Sequence, residues 1–342
     1  MKFKKLSTKI AVTILVVSFS VSLALSTVFQ IRMNTRINEI QELTLVTQTY
    51  DIAKVCEQTF TDTMYSVKSL QKFIETAFNI AEYKNAPETY FESRREFMND
   101  FIIGTIKKYE SVSSAYFSVH PHISDDREVR QIFFEEDSRG NIESGDVETY
   151  EEFMDKSNRY MNWFWGAFDS GRPYWTDIFE WDDGNLLISH TTPVVINGEK
   201  IGVVGVDIFI DAFTKLIEQF TAYDTGFALL QDQYGVFLES DNSRKSFSDD
   251  GKSILTKAGL DNSGNVFNVR VDGIDYIATK NTLDNDYSVY VLVPANEFNA
   301  AVEASIMRFV LLFFPIFGLI VLVSLLVGKS ISKPYYYNHK CN

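Results

Sequence analysis

Cysteine, glycine and proline are scarce in this chain, and where they are missing decides a good deal. Only Cys56 and Cys341 occur in 342 residues, so no disulfide framework can hold the fold. No Gly or Pro precedes Pro87, which permits an unbroken helix over the first quarter of the chain. Acidic residues are absent from both ends: all 46 lie between two long apolar runs, 10–31 and 309–328. The four histidines, at 120, 122, 190 and 339, do not cluster with Cys or carboxylates at ligand spacing, so no metal site is expected. There is no Gly-x-Ser-x-Gly elbow, no His-Glu-x-x-His, no phosphate loop and no Cys–His pair. Glu135 and Glu136 are adjacent, and in a strand they point to opposite faces, useless as a shared acid and base. Neither an enzyme nor a cofactor is expected.

What is present begins with the two apolar runs, each of 20 or more residues and long enough to cross a hydrocarbon core of roughly 30 Å as a helix. Lys2, Lys4, Lys5 and Lys9 precede the first, and Lys329 and Lys333 follow the second. The positive-inside bias puts both ends in the cytoplasm and residues 32–308 outside. The alternative for the first run is a cleaved signal peptide, with small residues Ala24 and Ser26 near its end. Between the runs, 25 basic residues face 46 acidic ones, a net charge of −21. Nucleic acid and anionic headgroups are therefore poor partners.

The expected organisation is a cytoplasmic terminus 1–9, a transmembrane helix 10–31, a stalk helix 32–78, a membrane-distal unit 79–208 and a membrane-proximal unit 209–300. An exit and second transmembrane helix, 301–328, leads to a short segment 329–342. Apolar residues at Ile40, Leu43, Val46, Tyr50, Ala53, Phe60, Met64, Val67, Leu70 and Ile74 make one sticky face on a stalk roughly 100 Å long counted from residue 10. Part of that face should pack on the chain's own domain and the membrane-near part on a second copy, giving a homodimer. Cys56, on the same stalk, reads as a small apolar residue in a helix interface. The distal unit reads as a helix 88–109, strands 112–119 and 130–135, a turn at Arg139-Gly140-Asn141, a helix 148–156, and strands 186–196 and 200–208 joined at Asn197-Gly198. The proximal unit reads as a helix 211–223, strands 226–231 and 236–239 around a turn at Gln233-Tyr234-Gly235, a loop 242–251, strands 266–271 and 274–280 meeting at Asp272-Gly273, and a last strand 287–293. The fold class is α+β: two stacked units of PAS-like shape on one long N-terminal helix, flanked by two transmembrane helices.

The segment Trp163-Phe164 … Ala167 … Gly171 … Trp175-Thr176-Asp177-Ile178-Phe179 … Ser189 … Pro193 … Gly202-Val203-Val204-Gly205-Val206-Asp207-Ile208 resembles the core motif of double Cache sensor domains, the extracytoplasmic modules of many bacterial chemoreceptors. The resemblance covers roughly 35–300. It implies a small-molecule ligand in the distal unit, with Trp163, Phe164, Phe179 and Trp181 as aromatic walls and Asp207 on the closing strand as partner of an amine. Relatives that bind amino acids carry an Arg, two Tyr and an Asp where this chain has Met161, Phe164, Phe179 and Trp181. A carboxylate anchor is thus missing, and the surviving aromatic and Asp set suits an amine or quaternary ammonium.

Residues that compete for a core role are Trp165 and Trp175, while Asp177, Asp182 and Asp183 read as a solvated turn before Gly184. His190 faces either the pocket or the outside. Gly328 to Pro334 resembles the opening of a HAMP relay domain, and Tyr335 to Asn342 shows no heptad pattern; the expectation is a chain cut short before its cytoplasmic signalling partners are encoded. The expected function is a receptor for chemotaxis. The alternatives are the sensor of a histidine kinase or diguanylate cyclase, and a membrane-anchored adhesive protein.

Overall fold

The computed structural model describes residues 2–337 apart from 110, 138, 182, 183, 219–222, 234, 239–246 and 263. The glycine- and proline-free segment forms a single helix, α1 (Lys2–Ala77), of 76 residues. Nothing in it removes a ladder N–H or loosens the backbone. Hydroxyls such as those of Thr49 and Thr63 donate to the carbonyl one turn back. Two short turns later come α2 (Ile80–Asn85) and α3 (Pro87–Lys108). Asn79 caps α2 by accepting from the Ala81 and Glu82 N–H groups, and Pro87 opens α3, where no N–H is needed.

The distal unit continues with β1 (Val112–Val119), β2 (Arg130–Glu136), β3 (Ile142–Ser144), α4 (Tyr150–Met154), α5 (Asn162–Ser170), β4 (Tyr174–Trp175), β5 (Phe179–Glu180), β6 (Leu186–Ile196) and β7 (Glu199–Phe209). The strands form an antiparallel sheet in the order β3-β2-β1-β7-β6-β4, with β5 also paired to β6. Asn197 (φ 53°) and Gly198 (φ 85°) supply the two left-handed residues that a tight hairpin between β6 and β7 requires. Helices α1 and α3 cover one face of this sheet and α5 packs on the other.

The proximal unit comprises α6 (Asp211–Glu218), β8 (Phe227–Gln231), β9 (Phe237–Leu238), α7 (Asp249–Asp261), β10 (Val266–Val271), β11 (Ile274–Thr282) and β12 (Ser288–Pro294), and runs into α8 (Ala295–Tyr337). Its sheet order is β10-β11-β12-β8-β9. The loop expected at 242–251 is corrected in part: its residues up to 246 lie outside the described ones, while Asp249 already begins α7. Ser248 caps that helix by accepting from the Gly251 N–H at 3.0 Å. Asp249 and Asp250 sit favourably in its first turn. Tyr234 and Glu239 of the expected strand pair, and 219–222 of the expected helix, also fall outside the described residues.

One apolar core joins the two units. Leu45, Ile52, Cys56, Phe60, Val67, Leu70 and Ile74 of α1 are buried in the same cluster as Val206 and Ile208 of β7 and Val289, Val291 and Val293 of β12. Ile40, Leu43 and Tyr50, nearer the apolar run, stay exposed. Phe60 is the joint: its ring lies 4.5 Å from Phe213 of α6, 4.8 Å from Tyr287 beside β12 and 5.1 Å from Trp175 of β4. Cys56, fully buried one turn earlier, has its thiol pushed up to about 12 by burial. Helices α1 and α8 each carry a stretch long and apolar enough to cross a membrane. The two run side by side, with Phe19 4.8 Å from Phe317 and Gln30 donating to Ser305 at 3.3 Å.

Because Phe60 touches both units, Phe60→Ala is expected to destabilise both by about 3–5 kcal/mol through the cavity it leaves. Urea titration of the full chain, followed by tryptophan fluorescence for the distal unit and circular dichroism for the whole, checks this. Loss confined to one signal would show that the sheets fold independently.

Candidate functional site

The register of the distal sheet sets one polar row across four strands. Glu135 on β2 lies opposite Ser114 on β1, Ser114 opposite Asp207 on β7, and Asp207 opposite Ser189 on β6. Two residues along, Phe133, Tyr116, Gly205 and Thr191 make the next row on the same face. That face is the one covered by α5, since Val203, in phase with Gly205 and Asp207, joins the α5 cluster. Gly205 is needed there: a Cβ on it would stand 2.4 Å from the ring of Tyr116.

Asp207 is 5% exposed. Ser189 donates to its Oδ1 at 2.5 Å, the Tyr116 hydroxyl donates to the same oxygen at 3.1 Å, and the Ser114 hydroxyl donates to Oδ2. Burial nevertheless outweighs these hydroxyls and pushes the carboxyl up to about 6, with Glu135 adding to the rise. The Tyr116 hydroxyl is raised well above its ordinary value, first by burial and then by the charge of Asp207, with a smaller push from Glu148. Glu148 is itself raised by burial, and its Oε2 is buried without a hydrogen-bond partner.

Aromatic rings surround this row in a chain of edge contacts. Trp163 lies 4.8 Å from Tyr116, Tyr116 6.0 Å from Phe133, Phe133 6.1 Å from Trp181, and Trp181 6.3 Å from Phe179. Two small cavities open between them, each of about 20 Å³. One is lined by Arg159, Trp163, Thr176, Asp177 and Phe179 among others, the second by Ser114, Glu135, Trp181 and Asp207 among others. Each holds about one water, so any organic ligand must part the α5 N-terminus from the β4–β5 segment.

Of the expected site residues, Trp163 and Phe179 share the first cavity, and Trp181 and Asp207 share the second. The Trp181 ring N–H donates to Glu135 at 3.1 Å. Phe164 lines neither. It is fully buried on the inner side of α5, 4.5 Å from Phe153 and 5.2 Å from Phe168. Met161 is also buried in that cluster, where a guanidinium would have no partner. The cation at the cleft is instead Arg159, two residues earlier, 3.8 Å from Asp177. Sequence reasoning passed over Arg159 because it looked at one position of the motif. The signal available was Asn158, which caps the turn Arg159–Met161 by accepting from the Tyr160 N–H.

His190 faces neither cleft nor solvent. Its neighbour Ser189 points at Asp207, so His190 points the other way, toward α1, with its ring 4.3 Å from Trp175. Trp165 is core, its ring N–H donating to the Phe153 carbonyl. Asp182 and Asp183 lie outside the described residues. In the proximal unit, Asp232 accepts the nearby Val236 N–H and Asp272 accepts the Ser248 N–H at the start of α7, and Asp275 sits 3.8 Å from Arg270. His120 accepts the His122 N–H and stacks on Phe168. Among the described residues no three possible ligands gather around a metal position.

The raised Asp207 carboxyl carries a pH signature. Its folded value of about 6 exceeds the ordinary value, so between about pH 4 and 6 the folded chain holds more proton than the unfolded one and stability falls as pH rises, by on the order of 3 kcal/mol in all. Asp207→Asn should therefore gain melting temperature relative to the parent as pH goes from 4 to 7. Parallel melting curves across that range would show that the carboxyl titrates normally.

Comparison with known proteins places this geometry. Residues 98–215 match the family described as methyl-accepting chemotaxis protein-like, first PDC sensor domain. The methyl-accepting chemotaxis protein McpA of Pseudomonas putida is 30% identical over 121 residues, which is 35% of this chain and 19% of McpA; the chain thus matches about a fifth of the length of that relative. The ligand-binding domain of the Campylobacter jejuni chemoreceptor Tlp3, solved with 4-methylisoleucine, superposes with a TM-score of 0.58 at 13% identity over 77% of this chain and 94% of the other. The extracellular domain of the putative histidine kinase soHK1S-Z6 does so with a TM-score of 0.59 at 15% identity, over 78% and 98%. Residues 98–215 thus resemble the first sensor domain of chemotaxis-receptor-like proteins, and the two-unit fold is the one seen in the solved double Cache sensor domains.

Proposed function

We propose that the chain is the sensing part of a transmembrane chemoreceptor, which binds a small organic amine in the distal cleft and passes the event to the membrane through α1 and α8. It binds and does not catalyse. The observation that carries this reading is the charge of the cleft: among the described residues, Glu135, Glu148, Asp177 and Asp207 stand near aromatic rings against one lining cation, Arg159. Aromatic faces attract a cation by about 0.5–2 kcal/mol per good contact. An ammonium near Asp207 would hold that carboxyl in its charged form, and Trp163 and Phe179 would form the wall beside it. Residues 1–9 and 329–342 are cytoplasmic in this reading, and 32–308 lie outside the membrane. Exposed Ile40, Leu43 and Tyr50 on α1 support a homodimer along the membrane-near stalk.

Arg159 favours a second reading. Its ion pair with Asp177 is long, at 3.8 Å, with the Arg159 side chain largely exposed and that of Asp177 part-exposed, so a ligand carboxylate could replace Asp177. The ligand would then be an amino acid, the class named for Tlp3, which was solved with isoleucine and with L-valine. The likeness to soHK1S-Z6 supports histidine-kinase output as the alternative to chemotaxis.

Calorimetry on the full chain in nanodiscs distinguishes the two ligand classes. Choline and simple alkylamines are expected to bind, and Asp207→Asn to weaken them at least tenfold, as loss of one side of a buried charge pair would. Equal binding by parent and Asp207→Asn overturns the amine reading. Binding of isoleucine alone, abolished by Arg159→Gln, establishes the amino-acid reading in its place. For the dimer, single cysteines along 36–50 should cross-link with a period of three to four residues, and a flat profile excludes it.

A further inference from the structure

A groove of about 650 Å³ lies on the opposite face of the distal sheet from the Asp207 cleft, where α1, the β4–β6 edge and the β11–β12 turn meet. Phe60 and Trp175 form apolar walls in edge contact at 5.1 Å, and His190 lies against Trp175. His190 is 4% exposed, and its Nδ1 has no hydrogen-bond partner. The Nδ2 of Asn285, across the groove on the proximal turn, is likewise buried without an acceptor. Its Oδ1 is held in place by the Tyr287 N–H at 3.4 Å. Gln71, also on the wall, is satisfied, its amide donating to the Pro193 carbonyl at 2.9 Å. Buried polar groups are nearly always paired, so two orphan atoms just beneath the wall of one groove point to a ligand that opens the wall and pairs them.

The chemistry of that ligand follows from the groups. Burial lowers His190 to about 4, so the imidazole is neutral at physiological pH and offers one donor and one acceptor. The Asn285 NH2 requires an acceptor. Charged Lys68 and Asp284 are exposed at the rim and Glu57 is half-buried on the α1 wall, leaving His190, Asn285, Gln71 and Thr192 as the uncharged polar lining. We propose that the groove is a second ligand site, which takes an uncharged aromatic molecule bearing a primary amide or a group of like hydrogen-bonding pattern. Its ring lies against Trp175 and Phe60, and its polar end is held between His190 and Asn285. Such a ligand touches the distal unit, the stalk and the proximal unit at once, and so would bias how the two units sit on α1. The proposal is independent of the amine cleft, since adjacent residues Ser189 and His190 serve opposite faces.

The test uses the full chain in nanodiscs, labelled with 5-fluorotryptophan, and benzamide as the probe. The fluorine resonance of Trp175, identified by its absence in Trp175→Phe, should shift saturably while those of Trp163 and Trp181 stay in place. His190→Leu, which keeps the volume, and Asn285→Ala, on a turn, should each weaken the probe at least fivefold, with an unmoved Trp163 resonance reporting an intact fold. No shift at Trp175, or a shift that both variants leave unchanged, overturns the proposal. So does a Trp175 shift that follows protein concentration and not benzamide, which would make a second copy the occupant. Choline added to the same sample reads out the distal cleft through Trp163, so the two sites fail or succeed separately.

Discussion

Both sheets of this protein are packed against the same helix, and that shared burial is the constraint on which the rest depends. Phe60 sits where α1 meets α6, β4 and the end of β12, so its ring belongs to the core of two units at once. Neither unit has a separate apolar core on that side: β7 and β12 valines and isoleucines fall into one cluster with α1. A change of shape in the distal unit must therefore either slide along α1 or be passed to it. Close packing makes small sliding between discrete arrangements more accessible than continuous deformation.

The other face of each sheet is where the units differ. On the distal unit it carries the polar row of Glu135, Ser114, Asp207 and Ser189 under an aromatic cover. On the proximal unit it is filled by α7, with Leu255 packed among Tyr276, Tyr290 and Leu292. A buried carboxylate in an apolar setting costs free energy unless it is hydrogen-bonded, and three hydroxyls meet that need for Asp207. They hold it in place without lowering its proton affinity to the ordinary level. The protonation of such a group responds to any charge brought beside it.

Much of the fold was legible because the signals were local. The absence of Gly and Pro before Pro87 announced α1, and Asn197-Gly198 and Asp272-Gly273 announced two hairpins whose residues do adopt positive φ. Helix α7 was missed because a polar stretch before it hid its cap, Ser248, and its apolar spacing is short. The site was legible only in part. Trp163, Phe179, Trp181 and Asp207 do come to the cleft region, but Phe164 turns into the core, because neighbouring positions on a helix point about 100° apart. Arg159 was missed because its neighbour Asn158, although it marks the Arg159–Met161 turn, does not say that Arg159 reaches the cavity while Met161 faces inward.

By itself the sequence determined the long helix, the two apolar spans, the hairpins and the order of the units, since each depends on residues near one another in the chain. Tertiary structure alone decided that Ser114, Tyr116 and Ser189 close around Asp207, that His190 turns away from them toward α1, and that Asn285 of the proximal unit and His190 of the distal one line a shared groove. Those pairings are set by strand register and by packing between elements separated by up to about a hundred residues, and alternation along a strand gives two faces without saying which of them another element will cover.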